Sequence, residues 1–161
     1  MRDADRPDAL VYFGGNAEDV SQNLPKFSAA FPAHAIYLLH YRGYGGSGLA
    51  VRVASQREVA RLVLVTPYDS LQDIAADLFP WLPVRWLLID KYESWRYAPQ
   101  VRAPTLLIEA ERDEIIPRAS TRQLLTRFKP GTARLTVVRG TGHNDISQSP
   151  EYLRLLHGTP R

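Results

Sequence analysis

One stretch of the sequence, from Ala35 to Val53, constrains the fold more than any other. It reads AIYLLHYRGYGGSGLAVRV: an apolar segment typical of a strand, a glycine-rich turn and then a helical pattern. In α/β proteins a junction of this kind lies at the carboxyl end of a parallel strand, where loops carry the chemistry and the next helix presents its backbone N–H groups. The residues at this junction therefore bear directly on function.

Two functional interpretations of the junction compete. Gly43, Gly45 and Gly48 spell G-x-G-x-x-G between a strand and a helix, the context that a dinucleotide-binding fingerprint requires. Alternatively, Ser47 is a hydrolase nucleophile on a strand-to-helix turn, although a nucleophile elbow reads G-x-S-x-G and Leu49 occupies the position of its second glycine. A plain loop closed by glycines is the third interpretation, so the rest of the chain must decide.

Length and composition bound the answer. The 161 residues have ordinary apolar content and predict one globular domain, 1–161, large enough to bury a core. There is no cysteine, which excludes disulfides, thiolate metal sites and a cysteine nucleophile. No stretch is long enough to span a membrane and no apolar segment follows the charged opening residues, so we expect no integral membrane segment, no secretory signal and a cytoplasmic location.

The charge distribution argues against nucleic acid as a partner. The net charge is +3, and the basic residues are mostly arginines spread among aspartates and glutamates along the chain. A nucleic-acid binder gathers its positive charge on one face or stripe. We therefore interpret the arginines as a solvated surface.

Apolar segments and helical patterns alternate along the whole chain. Helical patterns follow most strands, and one near residues 20–31 contains Pro25, which interrupts it. Repeated strand, loop and helix predict a three-layer α/β/α fold with a mostly parallel sheet of about five strands. The predicted strands are Ala9–Phe13, Ala35–Tyr41, Val59–Thr66, Thr105–Ile108 and Ala133–Val138.

The segment 67–99 is longer than a strand-to-helix connection needs. It is rich in tryptophan and leucine, and we interpret it as an excursion that packs over the sheet edge or the site. An aromatic-rich core helix and a substrate lid are both compatible with this composition. Its apolar part, Leu71 to Leu88, is compatible with binding an acyl chain.

Five short motifs together resemble landmarks of the α/β-hydrolase superfamily, in the order in which that family has them. The resemblance extends from about Ala9 to His157 and is greatest to small serine hydrolases of the esterase-like, lysophospholipase-like and peptidase-like kinds. The motifs are FGGN at 13–16, YRGYGGSG at 41–48, VTPYDS at 65–70, ERDEIIP at 111–117 and GTGHND at 140–145.

The resemblance implies a set of catalytic residues. It makes Asp113 the triad acid and His143 the triad base, and it assigns the oxyanion hole to Gly15 and Asn16. A serine hydroxyl becomes a good nucleophile when an imidazole takes its proton, and a carboxylate then holds the tautomer of that imidazole. Both Asp113 and His143 follow predicted strands, where their loops can converge, and Ser47 is the candidate nucleophile.

The sequence also departs from the family pattern. Relatives have a helix, a central strand and the nucleophile elbow between the glycine turn and the helix LAVRV, and this chain lacks all three. It also lacks the first strands of the family, so the resemblance implies a truncated α/β-hydrolase fold. The absent central strand would lie between Ala9–Phe13 and Val59–Thr66, and we expect these two strands to pair directly.

Three functional hypotheses follow. The chain is a serine hydrolase that cleaves an ester, thioester or amide bond in a small molecule, without cofactor or metal; or it is a non-catalytic member of the same family that keeps the scaffold. The third hypothesis is a nucleotide-binding domain that uses the glycines of Gly43–Gly48, with Asp69 near the position of a ribose-binding acid. The third hypothesis leaves the loops of Asp113 and His143 unexplained.

Overall fold

The computed structural model describes residues 8–13, 20–39, 46–70, 72, 76, 81, 83 and 93–158. The chain divides into two compact units, Met1–Gly46 and Ser47–Arg161. The assignment of residues 1–161 to a single domain stays a prediction.

The first unit contains a pair of parallel strands and a short helix between them in sequence. Strands β1 (Asp8–Phe13) and β2 (His34–Leu39) pair along their whole length. Helix α1 (Leu24–Ala30) follows a 3-10 turn over Val20–Asn23 and has Pro25 in its first turn, where the missing N–H costs no helical hydrogen bond. Phe27 of α1 is buried, and its ring lies 4.9 Å from that of Tyr12 in β1.

In the described residues, the second unit contains the other three strands and six helical elements, including two 3-10 turns at Ala98–Gln100 and Ile146–Gln148. Its strands are β3 (Leu62–Val65), β4 (Thr105–Ala110) and β5 (Ala133–Val138). Its α-helices are α2 (Gly46–Gln56), α3 (Ser94–Tyr97), α4 (Arg118–Arg127) and α5 (Pro150–His157), of which α2 begins one residue before the unit does.

Strand β4 is the centre of the three-stranded sheet. It pairs in parallel with β3 on one side and with β5 on the other, and all six of its residues are buried. A nearly continuous apolar run such as TLLI is typical of a parallel strand that is covered on both faces. The sequence therefore identified this strand by composition, without an alternation of polar and apolar residues.

The two faces of this sheet bury different clusters, as three layers require. Leu107 of β4 belongs to a cluster with Val51 of α2 and Leu124 of α4. Its neighbour Ile108 points to the opposite face and belongs to a cluster against which Leu155 of α5 packs. Helices thus cover both faces, which agrees with the predicted α/β fold of parallel strands and flanking helices.

The strand count agrees with the prediction but one predicted pairing is wrong. In the described residues β1 pairs with β2 and β3 pairs with β4, so five strands form two ladders rather than one. Direct pairing of 9–13 with 59–66 is therefore not formed. Each of these two strands already has a hydrogen-bonded neighbour within its own ladder, β2 for the first and β4 for the second.

The structure also corrects three boundaries. The strand predicted at Val59–Thr66 covers only Leu62–Val65. The helix that contains LAVRV begins at Gly46, so Ser47 lies in a first helical turn and not on a turn before it. Strand β4 continues to Ala110, two residues past its predicted end at Ile108, and Glu109 is therefore a buried strand residue. Its burial is explained by tertiary contacts, because arginines of α4 compensate the charge of Glu109.

Most of the excursion predicted over 67–99 lies outside the described residues, and its role as a lid stays a prediction. Its two ends are held together by an antiparallel bridge between Ser70 and Glu93 and by a hydrogen bond from Trp95 N to Asp69 O. None of the described helices combines the length and apolarity that crossing a membrane requires.

We expect Leu107→Ala to lower the free energy of unfolding by about 2–5 kcal/mol. The Leu107 side chain is fully buried beneath two helices, so its truncation leaves a cavity in the core. Urea denaturation followed by circular dichroism measures the change. Leu24→Ala is the control, since Leu24 is 46% exposed and its truncation should cost under about 1 kcal/mol. Equal losses in the two variants would contradict this description of the core.

Candidate functional site

Two loops at the carboxyl edge of the three-stranded sheet carry the candidate site. Asp113 lies in the turn after β4, and His143 lies in the loop after β5. Because β4 and β5 are neighbouring parallel strands with Ala110 opposite Val138, the loops that follow them begin side by side. Strand pairing therefore brings together two residues that are thirty positions apart in the sequence.

The Asp113 carboxylate and the His143 imidazole are in direct contact. His143 Nδ1 lies 3.1 Å from Asp113 Oδ1 and 3.0 Å from Asp113 Oδ2. The exposed fraction of the side chain is 3% for Asp113 and 15% for His143. An ionised carboxylate only accepts hydrogen bonds, so Nδ1 of the neutral imidazole carries the proton and Nε2 keeps a lone pair.

Asp113 is fixed by its own turn as well as by His143. Its Oδ1 accepts backbone N–H groups from Ile115 at 3.0 Å and from Ile116 at 2.7 Å. Burial alone raises the pKa of Asp113, but the hydrogen bonds from His143, Ile116 and Ile115 and the charge of His143 outweigh it and lower the pKa below its ordinary value. The carboxyl group therefore stays ionised at neutral pH.

Backbone hydrogen bonds connect the two loops to each other. Arg112 N donates to Thr141 O at 2.8 Å, and Gly140 N donates to the Glu111 carboxylate at 2.7 Å. Gly140 has φ +73, a left-handed conformation that glycine adopts without a Cβ clash. These contacts hold the imidazole against the carboxylate independently of the bond between them.

Nε2 of His143 is the atom of this pair that could act on a substrate. No other described residue forms a hydrogen bond with Nε2, and the side chain retains some exposure. A lone pair of this kind can take a proton from a hydroxyl or a water, and the carboxylate then stabilises the resulting imidazolium. The pair is thus chemically equipped for general base catalysis.

Ser47 lies in the first turn of α2 and its hydroxyl is hydrogen bonded to that of Tyr68. In the part of the chain that the structure describes, no hydrogen bond joins Ser47 to His143. Tyr68 is 4% exposed, and burial raises its pKa, against the smaller opposite effect of the bond with Ser47. Tyr68 therefore remains a neutral hydroxyl at neutral pH.

Packing places Ser47 and the acid–base pair in one neighbourhood. The buried Tyr68 side chain clusters with Ile116, the residue whose backbone N–H donates to Asp113. A continuous set of contacts thus runs from Ser47 through Tyr68 and Ile116 to Asp113 and His143. The segment PYDS after β3 supplies Tyr68, which belongs to the motif VTPYDS at 65–70 and for which the sequence alone indicates no role.

Two solved structures have the same fold as this chain. The chain superposes on an α/β hydrolase enzyme from a Medee basin deep-sea metagenome library with a TM-score of 0.71 and 13% identity, covering 100% of this chain and 93% of that one. It superposes on an enol-lactonase from Burkholderia xenovorans LB400 with a TM-score of 0.64 and 14% identity, covering 96% and 92%. At these identities the likeness establishes the fold.

Sequence relatives extend the comparison. The chain is 32% identical over 111 residues to the alpha/beta hydrolase domain-containing protein aho-3 of Caenorhabditis elegans, covering 69% of this chain and 32% of that protein. The chain belongs to the α/β-hydrolase superfamily. It is also 42% identical over 100 residues to the protein Rv2307c of Mycobacterium tuberculosis (strain ATCC 25618 / H37Rv), covering 62% and 35%. No family model matches the sequence.

This hydrolase-fold chain spans about a third of the length of the curated relatives it matches. Gly15 and Asn16, predicted to form the oxyanion hole, lie outside the described residues, as do Gly43 and Gly45 of the glycine pattern. Gly48 is a helical residue of α2. Within the described ranges, no group of three or more His, Asp and Glu side chains is arranged to hold a metal ion.

Glu109 is a second buried carboxylate near the site that sequence reasoning missed. Its side chain is 2% exposed and forms ion pairs with Arg118 Nε at 2.5 Å and Arg122 Nε at 3.6 Å. The spacing of four residues places both arginines on one side of α4, which was the available sequence signal. These pairs fix the start of α4 beside the turn that carries Asp113.

We expect Asp113→Asn to remove part of the acid sensitivity of the fold. Because the pKa of Asp113 in the folded chain lies below the unfolded value of about 3.9, its stabilising contribution is complete above about pH 3.9 and is lost as the pH falls through the folded pKa. At pH 7 the substitution should lower the free energy of unfolding by about 1–3 kcal/mol. Urea denaturation between pH 2.5 and 7 measures the difference.

Asp145→Asn is the matched control, since Asp145 accepts the Gly142 N–H in the neighbouring loop and does not contact Asp113. The free energy of unfolding of Asp145→Asn should therefore fall at low pH as that of the wild type does, whereas Asp113→Asn should lose part of this fall. A constant stability difference between wild type and Asp113→Asn across this range would contradict the role assigned to the ionised carboxylate.

Proposed function

We propose that this chain is a serine hydrolase that cleaves an ester, thioester or amide bond in a small molecule, with Ser47 as nucleophile, His143 as base and Asp113 as acid. The observation that carries the proposal is the contact of His143 Nδ1 with both carboxylate oxygens of Asp113, at 3.1 and 3.0 Å, on the edge of a parallel sheet. This contact leaves Nε2 available as the proton acceptor.

In the proposed reaction Ser47 Oγ attacks the carbonyl carbon while its proton moves to His143 Nε2. Asp113 stabilises the imidazolium, which then donates the same proton to the departing alcohol, thiol or amine. Water hydrolyses the acyl-enzyme by the same sequence and returns Ser47 to its hydroxyl form. The backbone N–H groups of Gly15 and Asn16 are the proposed oxyanion donors, which would stabilise the charge on the tetrahedral intermediates.

The bond between Ser47 and Tyr68 is compatible with this chemistry. The bond with Ser47 lowers the pKa of Tyr68, which is the effect of a hydroxyl that donates to the phenol oxygen, so in the proposed reaction Ser47 turns its proton from Tyr68 to the imidazole of His143. In this arrangement Tyr68 orients Ser47 at the start of α2. The apolar part of the segment 71–88 is the proposed contact for an acyl portion of the substrate.

A non-catalytic member of the family is the second candidate, and a specific observation favours it. The described partner of the Ser47 hydroxyl is Tyr68 and not His143, and Ser47 lies on a helical turn rather than on a nucleophile elbow. In this alternative Asp113 and His143 stabilise two loops of a scaffold and perform no proton transfer.

A fluorophosphonate probe and a chromogenic acetate ester distinguish the two candidates. The proposed hydrolase should be labelled on Ser47, and Ser47→Ala should abolish the labelling. His143→Ala should lower the rate of ester hydrolysis by about 10²–10⁴-fold, the usual contribution of a general base. His157→Ala is the matched control, because His157 is an exposed residue at the end of α5, and it should hydrolyse the ester at the wild-type rate.

Absence of labelling in a folded wild-type chain, or equal labelling of wild type and Ser47→Ala, would overturn the assignment of Ser47 and favour the non-catalytic scaffold. Mass spectrometry of the labelled peptide identifies the modified residue directly. A circular dichroism spectrum of each variant separates loss of chemistry from loss of fold.

A further inference from the structure

A small cavity lies at the edge of the three-stranded sheet opposite to Asp113 and His143. It has a volume of about 90 Å³, and three segments line it: Arg61 just before β3, residues 104–106 at the start of β4, and residues 131–134 around the start of β5. These segments are adjacent because Leu62, Thr105 and Ala133 are aligned across the sheet. The cavity is therefore separate from the proposed hydrolytic site.

Two arginines, Arg61 and Arg134, are among the residues that line this cavity. Burial first, and then the positive charge of Arg134, lower the pKa of Arg61, although an arginine stays protonated at neutral pH. Among the described residues, no carboxylate lies within ion-pair distance of either group. Two like charges thus lie near each other, on the half-buried Arg61 and the exposed Arg134, with no counter-charge among the described residues.

Contacts within the fold explain the position of the Arg61 side chain but not that of the Arg134 side chain. Arg61 donates from Nη1 to Leu156 O at 2.8 Å and from Nη2 to Leu155 O at 2.7 Å, which satisfies carbonyl groups at the end of α5. The side chain of Arg134, an exposed residue of β5, makes no hydrogen bond or ion pair to any other described residue and keeps its five donors. Its positive charge repels that of Arg61, and its side chain makes no contact with another described residue that would offset this repulsion.

We propose that the cavity between Arg61 and Arg134 binds a phosphoryl dianion, either as free phosphate or as the phosphate group of a phosphomonoester. A dianion between the two guanidinium groups would convert their repulsion into two attractive interactions, and arginine forms paired hydrogen bonds with phosphate oxygens. The cavity volume equals that of about three water molecules in the liquid, which suits one phosphoryl group and little more.

The other polar groups of the cavity fit this ligand. Thr132 lines the cavity, and its hydroxyl makes no hydrogen bond to another described residue, so this hydroxyl is available to donate to a phosphate oxygen. The Thr105 hydroxyl already donates to Ala103 O at 2.9 Å. No acidic side chain lines the cavity, so nothing there repels an anion, and nothing there is equipped to cleave a phosphate ester.

Isothermal titration calorimetry of the full chain with inorganic phosphate and, separately, with phenyl phosphate tests the proposal, at constant ionic strength adjusted with sodium chloride. We expect saturable binding of one equivalent, weakened about tenfold or more by Arg134→Gln, because a charge-assisted contact is lost. Comparable affinities indicate that the site takes the phosphoryl group alone, and tighter binding of phenyl phosphate indicates a phosphomonoester ligand.

Arg139→Gln is the matched control, since Arg139 is an exposed residue just past the opposite end of the same strand, β5. It should bind phosphate as the wild type does. Arg134→Lys, which keeps the charge but loses the planar pair of donors, should give an intermediate affinity. Because Arg134 makes no contact that supports the fold, these variants should have wild-type circular dichroism spectra and unfolding temperatures.

Four outcomes would overturn the proposal: no saturable phosphate binding to the wild type, equal binding by wild type and Arg134→Gln, an equal loss in Arg139→Gln, or acetate binding as tightly as phosphate. The third would indicate general attraction to a surface of net positive charge, and the fourth a carboxylate site. None of these measurements depends on hydrolytic activity, so the phosphate site and the proposed hydrolase stand or fall separately.

Discussion

Parallel pairing of β4 with both of its neighbours is the constraint on which the second unit of this protein depends. The pairing buries all of β4 and aligns its carboxyl end with that of β5. The loops that carry Asp113 and His143 start from these two ends, so the contact between the carboxylate and the imidazole is a consequence of strand order. The same pairing brings Arg61 and Arg134 to the opposite edge, beside the start of β4. The carboxyl ends and the amino ends of the same parallel strands thus carry chemically different groups.

The two ladders explain how the chain keeps the fold of its superfamily although the central strand of that family is absent. The resemblance to α/β hydrolases located an absent central strand between the segments that became β1 and β3, and the described ladders end at those two strands. A chain can keep the fold of its superfamily under these conditions because each remaining strand retains a hydrogen-bonded neighbour. The loops of Asp113 and His143 depend on β4 and β5, which pair with each other, and β4 pairs with β3 on its other side.

The hydrogen bond between Ser47 and Tyr68 is the local contact on which the catalytic and non-catalytic interpretations differ. Ser47 belongs to the first turn of a helix, so its hydroxyl position is set by the start of α2 and by a buried tyrosine. Tyr68 in turn contacts the isoleucine that binds Asp113 through its backbone. Catalytic and non-catalytic interpretations therefore differ in one proton pathway and share the same scaffold.

The sequence by itself determined the element order, the parallel α/β class and the placing of Asp113 and His143 in neighbouring loops, since apolar runs and glycine turns are local signals. It set β5 at Ala133–Val138, as the structure has it, because both ends of that strand are marked by turn residues. Only the tertiary structure decided that Glu109 is buried, that Ser47 is helical and bonded to Tyr68, that β1 pairs with β2 while β3 pairs with β4, and that Arg61 approaches Arg134. Each of these depends on a contact between residues far apart in the chain, and no local pattern encodes a partner that folding alone brings near.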